Sequence, residues 1–284
     1  MTYVFGAALV LGTSVLTAWV LRPEPVLGPC AVASGPVTLP DVPETSGLAM
    51  GRRARHILWS HNDSGNDAVL FAMDLAGAVR GRVAVPMRMR DWEDVSAGRC
   101  PAGDCLYLAD IGDNGTRRPH VAILRVPEPG LEDVTTPDPE VFTVAYPDGP
   151  HNAEGMFVVG ADLFVITKDR AGRVYRARAL AAGGGTQTMQ YVGALGLATV
   201  TDAETSVDER TVVVRTPWEV AFYRTDALVT GKAAPYLRVD LTDLEELQGE
   251  GVALDGDVLH LSSEGNAWSP AGSLMALRCR LPGP

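Results

Sequence analysis

Glu154-Gly-Met-Phe-Val158 sets a glutamate directly before a short strand-like run, and the chain makes the same arrangement four more times. The others are Glu44-Thr-Ser-Gly-Leu-Ala49, Glu93-Asp-Val-Ser-Ala97, Glu204-Thr-Ser-Val-Asp208 and Glu250-Gly-Val-Ala-Leu254. Subtracting residue numbers gives spacings of 49, 61, 50 and 46 residues. A repeat of about 40–50 residues built from short strands is the mark of a β-propeller, one blade per repeat. The sequence therefore predicts an all-β, five-bladed propeller of four-stranded antiparallel blades, with the glutamate at one structural position in each. A six-bladed count would need a blade that the sequence does not supply.

Runs rich in β-branched and aromatic residues, bounded by Gly, Asp, Asn and Pro, supply four strands to each of the first four blades. The fifth has only three, at Val252–Leu254, Val258–Ser262 and Leu274–Leu281. Gly35-Pro-Val-Thr-Leu39 fills the gap, so the N-terminal strand closes the ring. The long second interval is absorbed by a Pro- and Asp-rich loop, Pro127–Glu140, and Asp240–Leu247 is the one stretch with helical character.

The chain has four cysteines. Cys100 and Cys105 would bridge a hairpin, and Cys30 and Cys279 would staple the closure, which points to an oxidising compartment. Val4–Leu21 carries no charge over 18 residues and precedes Arg22-Pro-Glu-Pro25. That length suits a cleaved export signal or an uncleaved membrane anchor, and both readings stay open. Residues 1–29 thus read as signal or anchor plus linker, 30–284 as one propeller domain, and the protein as extracytoplasmic and monomeric. A net charge of −11 leaves no basic patch to offset phosphate repulsion, so nucleic acid is not an expected partner.

In a propeller the loop entering each innermost strand and the loop between the second and third strands open on one face. The glutamates therefore share a face with His61-Asn-Asp-Ser-Gly65, Asp110-Ile-Gly-Asp-Asn114, Lys168-Asp-Arg170, Arg215-Thr-Pro-Trp218 and Ser263-Glu-Gly-Asn266. Two residues before the glutamate stand Asp91, Asn152, Asp202 and Gln248, with Val42 in the first repeat. Gathered carboxylates raise each other's pKa, and something must offset the repulsion. Ca2+ would, since it takes oxygen ligands, and Glu44, Glu93, Glu154, Glu204, Glu250, Asp91, Asn152 and Asp202 are the candidate ligands. Lys168 and Arg215 would offset part of it as ion pairs. Equally, each glutamate would bond backbone N–H groups of the next blade and brace the ring. His61 and His151 at the rim could act as general bases, and Trp59, Trp92 and Trp218 could wall a ligand. No nucleophile elbow, P-loop, HExxH or dinucleotide fingerprint is present.

Glu44-Thr-Ser-Gly-Leu48, Leu58-Trp-Ser-His-Asn-Asp-Ser-Gly65, Asp91-Trp-Glu-Asp94, Leu108-Ala-Asp-Ile-Gly-Asp-Asn-Gly115 and Arg117, in that order, resemble a group of largely uncharacterised exported bacterial propeller proteins. Ala153-Glu-Gly155 and Gly249-Glu-Gly251 are similar to repeats of the SdiA-regulated and esterase-like phytase propeller families. The resemblance covers Glu44 to Glu264 and implies a propeller with calcium-binding acids. Phytase propellers also hold phosphate with basic residues, and here only Lys168, Arg170, Arg215 and Arg117 offer themselves.

Two functions follow as expectations. One is a binding module presenting an acidic, Ca2+-binding pocket to a small-molecule or surface ligand. The other is a calcium-dependent hydrolase of a phosphoester, ester or lactone, with Asp110 or His151 as base and Lys168 or Arg215 stabilising the anion.

Overall fold

A computed structural model describes residues 26–178, 183–232 and 234–282. The apolar run Val4–Leu21 and its Arg22-Pro-Glu-Pro25 flank lie outside the described residues. Among the described residues no helix is long and apolar enough to cross a membrane.

The chain forms five sheets, each built round four antiparallel strands. Strand β1 (Cys30–Leu39) opens the described chain. Blade one is β2 (Thr45–Met50), β3 (Ile57–Asn62), β4 (Val69–Asp74) and β5 (Val79–Ala84). Blade two is β6 (Asp94–Cys100), β7 (Gly103–Asp110), β8 (Val121–Pro127) and β9 (Glu140–Ala145). Blade three is β10 (Ala153–Val159), β11 (Asp162–Thr167), β12 (Arg173–Ala177) and β14 (Gln190–Ala194), while β13 (Gln187–Thr188) pairs in parallel with β9 of blade two. Blade four is β15 (Asp202–Thr205), β16 (Thr211–Arg215), β17 (Glu219–Arg224) and β18 (Leu237–Asp240). Blade five is β19 (Gly249–Asp255), β20 (Val258–Ser263) and β21 (Gly272–Cys279), completed by β1. This is the predicted five-bladed propeller, closed by its N-terminal strand.

Cys30 stands opposite Cys279 in the β1–β21 pairing and is disulfide-bonded to it. Cys100 and Cys105 form the second disulfide across the β6–β7 hairpin. Both bonds fit an oxidising environment.

The inner strands β2, β6, β10, β15 and β19 pack side by side in a closed ring. All residues of β2 and β15 are buried, whereas outer strands such as β5 mix buried and exposed positions. A blade packs on a neighbour through each face, so its inner strand has no solvent side. Blade junctions at the axis are tight enough to need glycine: a Cβ on Gly251 would overlap Ser262 Oγ, and one on Gly47 would overlap Asp94. That explains two of the small residues beside the acidic positions.

Two details depart from expectation. Part of the Pro127–Glu140 loop lies along the outer edge of blade one, with Ala84 N–H donating to Val134 O at 3.0 Å and Thr136 N–H to Ala84 O at 2.9 Å. An exposed sheet edge is thereby covered. The Asp240–Leu247 stretch winds into one 3-10 turn, Thr242–Leu244, and a short helix α1 (Thr225–Leu228) follows β17. Buried aliphatic and aromatic side chains fill the spaces between blades, among them Trp59, Phe157, Phe164 and Phe222.

Candidate functional site: an acidic pore mouth

Backbone hydrogen bonds fix which residues are equivalent. In four blades a residue just past the second strand donates its N–H to the loop entering the first strand: Asp63 to Glu44 O (2.8 Å), Gly112 to Asp91 O (3.1 Å), Lys168 to Asn152 O (3.0 Å) and Glu264 to Gln248 O (2.8 Å). Two residues further on stand Ser46, Glu93, Glu154 and Glu250. In blade four Thr201 N–H donates to Arg215 O, as Glu93 N–H does to Ala109 O in blade two. The shared position is therefore Ser46, Glu93, Glu154, Thr201 and Glu250, and the expectation of five equivalent glutamates is corrected to three.

The two hydroxyls explain the substitution. Ser46 Oγ donates to Glu93 O at 2.7 Å and Thr201 Oγ1 to Glu250 O at 3.0 Å, each reaching the next blade. Glu44 falls two residues early, exposed on the rim, where Asn66 Nδ2 donates to it. Glu204 falls three residues late and is buried in the channel, where it accepts Ala97 N–H at 3.3 Å.

Glu93, Glu154 and Glu250 line a cavity of about 40 Å³ together with Thr45, Ser46, Asp63, Lys168, Gln248 and Glu264. The three glutamates are only 6%, 5% and 7% exposed. Lys168 Nζ pairs with Glu154, and Gln248 Nε2 donates to Glu250 Oε1 at 2.7 Å and to Glu264. The Glu93 carboxylate makes no hydrogen bond among the described residues. It fits only because Gly112 beside it has no side chain.

Burial works against ionisation of all three. Burial, then the charge of Glu154, pushes Glu93 up to about 10 and Glu250 to about 8. Glu154 rises only to about 7, because burial is opposed by the Lys168 charge and hydrogen bond. Burial also opposes the Lys168 charge, but Glu154, with Glu250 and Glu93 behind it, holds the ammonium above its ordinary range. Asp63 and Glu264 are raised by burial and by neighbouring acids.

A second tier lies deeper. Asp94 accepts the N–H groups of Val95 and Met156, both at 2.6 Å, and Asp202 accepts those of Leu48 (3.2 Å) and Val252 (2.5 Å). Burial, then the Asp202 charge, lifts Asp94 well above the carboxylate range, while burial takes Asp202 to about 7. These acids brace blades, as does Glu204.

The remaining candidates separate. Lys168 is in the mouth. Asp110 accepts the N–H groups of Arg90 (3.2 Å) and Asp91 (2.9 Å) and pairs with Arg118 at 2.9 Å. Arg215 is fully buried, donating to Gly251 O (2.7 Å) and Ser262 O (3.1 Å) and pairing with Glu246. His151 bonds Asp148 and the Tyr175 hydroxyl, each at 3.0 Å. Asn152 accepts Asp113 N–H at 2.7 Å, and Asp91 stays partly exposed beside Glu93. His61 is not on the rim: it is buried, stacked on Trp92 at 3.9 Å, and burial takes it down to about 3. Trp59 and Trp92 are core residues, whereas Trp218 is exposed.

Sequence reasoning placed Asp63 and Glu264 on the correct face without marking them as site residues, and it missed Asp94 and Ser46. Their signal is positional: Asp63, Lys168 and Glu264 each stand first after the second strand.

No known family model matches the chain, and no curated protein matches it in sequence. Among solved structures it is similar to a chain of Kuenenia stuttgartiensis hydrazine synthase at 14% identity and a TM-score of 0.37, covering 80% of this chain and 58% of that one. A likeness of that size carries no functional argument, and the blade count rests on the sheets themselves.

Proposed function

We propose that this protein is an extracytoplasmic binding module whose acidic pore mouth takes up a positively charged group. One observation carries the reading: three buried glutamates, with Asp63 and Glu264 beside them, face a cavity to which a single cation, Lys168, contributes charge. Such a site is short of positive charge, and an entering cation favours ionisation of carboxyls that burial, and then mutual repulsion, hold protonated. The two disulfides and the uncharged Val4–Leu21 run support placement outside the cytoplasm.

Calcium is the inorganic candidate, favoured by the oxygen-only acids and amide. The side chains as they stand do not fit it: among the described residues no three His, Cys, Asp or Glu side chains converge as metal ligands, and Lys168 already bonds Glu154. An organic ammonium, which needs carboxylates but no coordination cage, suits the arrangement better. The hydrolase reading gains no support from the geometry, since Asp110, Arg215 and His151 bond elsewhere.

Calorimetric titration of the full chain at pH 8.5 with n-butylamine and, separately, with CaCl2 tests this reading. The expected result is saturable binding of the amine that disappears in the Glu93→Gln/Glu250→Gln variant. Binding of neither cation, or binding that the variant keeps, overturns it.

A further inference from the structure

The mouth cavity, at about 40 Å³, is far below the roughly 300 Å³ of a pocket that encloses a whole small molecule. It has room for one ammonium head and not for the body of a ligand. That body must lie outside, on the rim.

The rim carries exposed apolar side chains beside its acids. Leu247 immediately precedes Gln248, which lines the cavity, and is 52% exposed. Trp268 stands four residues beyond Glu264, another lining residue, on a loop whose Gly265 N–H bonds Pro43 O, and is 96% exposed. Trp218, in the equivalent loop of blade four, is 57% exposed. The turns holding both tryptophans are built: Asn266 Oδ1 accepts the N–H groups of Trp268 and Ser269, each at 2.9 Å, and Trp218 O accepts Leu241 N–H at 2.7 Å. All three stand on loops of the face on which the cavity opens, where their apolar surface is free for a ligand's body.

We propose that the mouth is a socket for a lysine side chain of a partner protein, whose apolar residues beside that lysine lie on Leu247, Trp268 and Trp218. This rests on the cation-binding reading above and names its ligand. Four points argue for it. The socket is acidic, and its Glu93 carboxylate is nine-tenths buried, faces the cavity and has no hydrogen-bond partner. Lysine carries a compact charge on a long flexible stem, whereas the planar guanidinium of arginine needs more room. Lys168 already shows that an ammonium on such a stem pairs with a carboxylate of this mouth, and the unpartnered Glu93 carboxylate is left for a second one. Exposed tryptophan favours a neighbouring cation as well as apolar contact.

The test uses the acetylated, amidated peptide Leu-Gly-Lys-Gly-Leu, its norleucine analogue and n-butylamine, titrated into the full chain at pH 8.5 by calorimetry and tryptophan fluorescence. The lysine peptide is expected to bind about tenfold tighter than either control, a difference of about 1.4 kcal/mol. Glu93→Gln removes that preference. Trp218→Ala/Trp268→Ala, at exposed positions that leave the fold intact, weakens the peptide about fivefold, within the range of an aromatic–cation contact, and leaves n-butylamine unchanged. If n-butylamine binds but the lysine peptide binds no better, or if the tryptophan variant has no effect, the socket is overturned and the cation-binding mouth stands. If neither binds, both fall.

Discussion

Thr201 Oγ1 donates to the backbone carbonyl of Glu250 at 3.0 Å, tying blade four to blade five at the level where three other blades turn a carboxylate into the pore. Ser46 makes the same contact to Glu93 at 2.7 Å between blades one and two. One structural position thus has two uses: a hydroxyl there braces the ring, and a carboxylate there charges the mouth.

The two uses separate on mutation. Ser46→Ala and Thr201→Ala each lose one buried hydrogen bond to a carbonyl of the next blade, so each is expected to cost about 0.5–1.5 kcal/mol. The sites share no partner, and their effects add. Urea unfolding of the single and double variants checks this. A double variant as stable as the parent would mean that the hydroxyls brace nothing.

The acids run the other way. Glu250 at about 8 and Glu93 at about 10 stand above the ~4.3 of a free glutamate in the unfolded chain. Between those values the folded protein keeps protons that the unfolded chain has released, so stability falls as pH rises from about 4.5 and levels off only above the folded values. Asp74, Asp148 and Asp208, held low by hydrogen bonds and arginine or histidine partners against burial, lose their contribution in acid instead. Maximum stability is therefore expected on the acid side of neutrality. Glu93→Gln should raise the melting temperature at pH 8, by about 3 °C per kcal/mol or slightly less for a chain of this size, and narrow its difference from pH 5.5. A lower melting temperature at pH 8 would contradict this. Gain of stability with loss of cation binding in one variant would also separate the mouth from the scaffold.

The blades, the closure and both disulfides were legible in the sequence, because each depends on local pattern: β-branched runs between turn residues, a missing outer strand, cysteines at matching ends. The site was legible only in part. Counting acids aligned Glu44 and Glu204 with Glu93, Glu154 and Glu250, although backbone pairing puts Ser46 and Thr201 in their places. A hydroxyl and a carboxylate look unrelated in sequence, but both fit a position whose neighbour offers a carbonyl on one side and open pore on the other. Glu204 and Asp202 face inward because blades converge at the axis, a distance no single-chain pattern records. Asp110 and Arg215 looked like mouth residues because their loops open on that face; their side chains turn back to satisfy backbone groups.

Asp202 spans the pore. One carboxyl receives Leu48 N–H from blade one and Val252 N–H from blade five, and its charge bears on Asp94 of blade two. Asp202→Ala leaves two buried N–H groups without acceptors, at about 1–3 kcal/mol each. Asp202→Asn keeps an oxygen for them and removes a charge that burial disfavours, so it should retain most of the stability. Chemical denaturation of both variants decides the point: equal losses would show that the carboxyl does not organise the blade centre.

Closure depends on a different bond. Cys30–Cys279 joins residues 249 apart in sequence, whereas Cys100–Cys105 spans 5. Cross-linking stabilises chiefly by removing loop entropy from the unfolded chain, and the effect grows with the logarithm of loop length. Cys30→Ser/Cys279→Ser is therefore expected to lose about 3–5 kcal/mol, and Cys100→Ser/Cys105→Ser clearly less. The first variant also frees β1 from its covalent tie to β21, leaving ladder hydrogen bonds and the packing of Leu27 and Leu39 to hold the fifth blade shut. Amide exchange should then rise in Cys30–Leu39 and Gly272–Cys279 before it rises in β6 or β10, because local opening follows the weakest cooperative unit. Uniform exchange across all five blades in that variant would show that the ring opens as a whole and that the disulfide does not guard its seam.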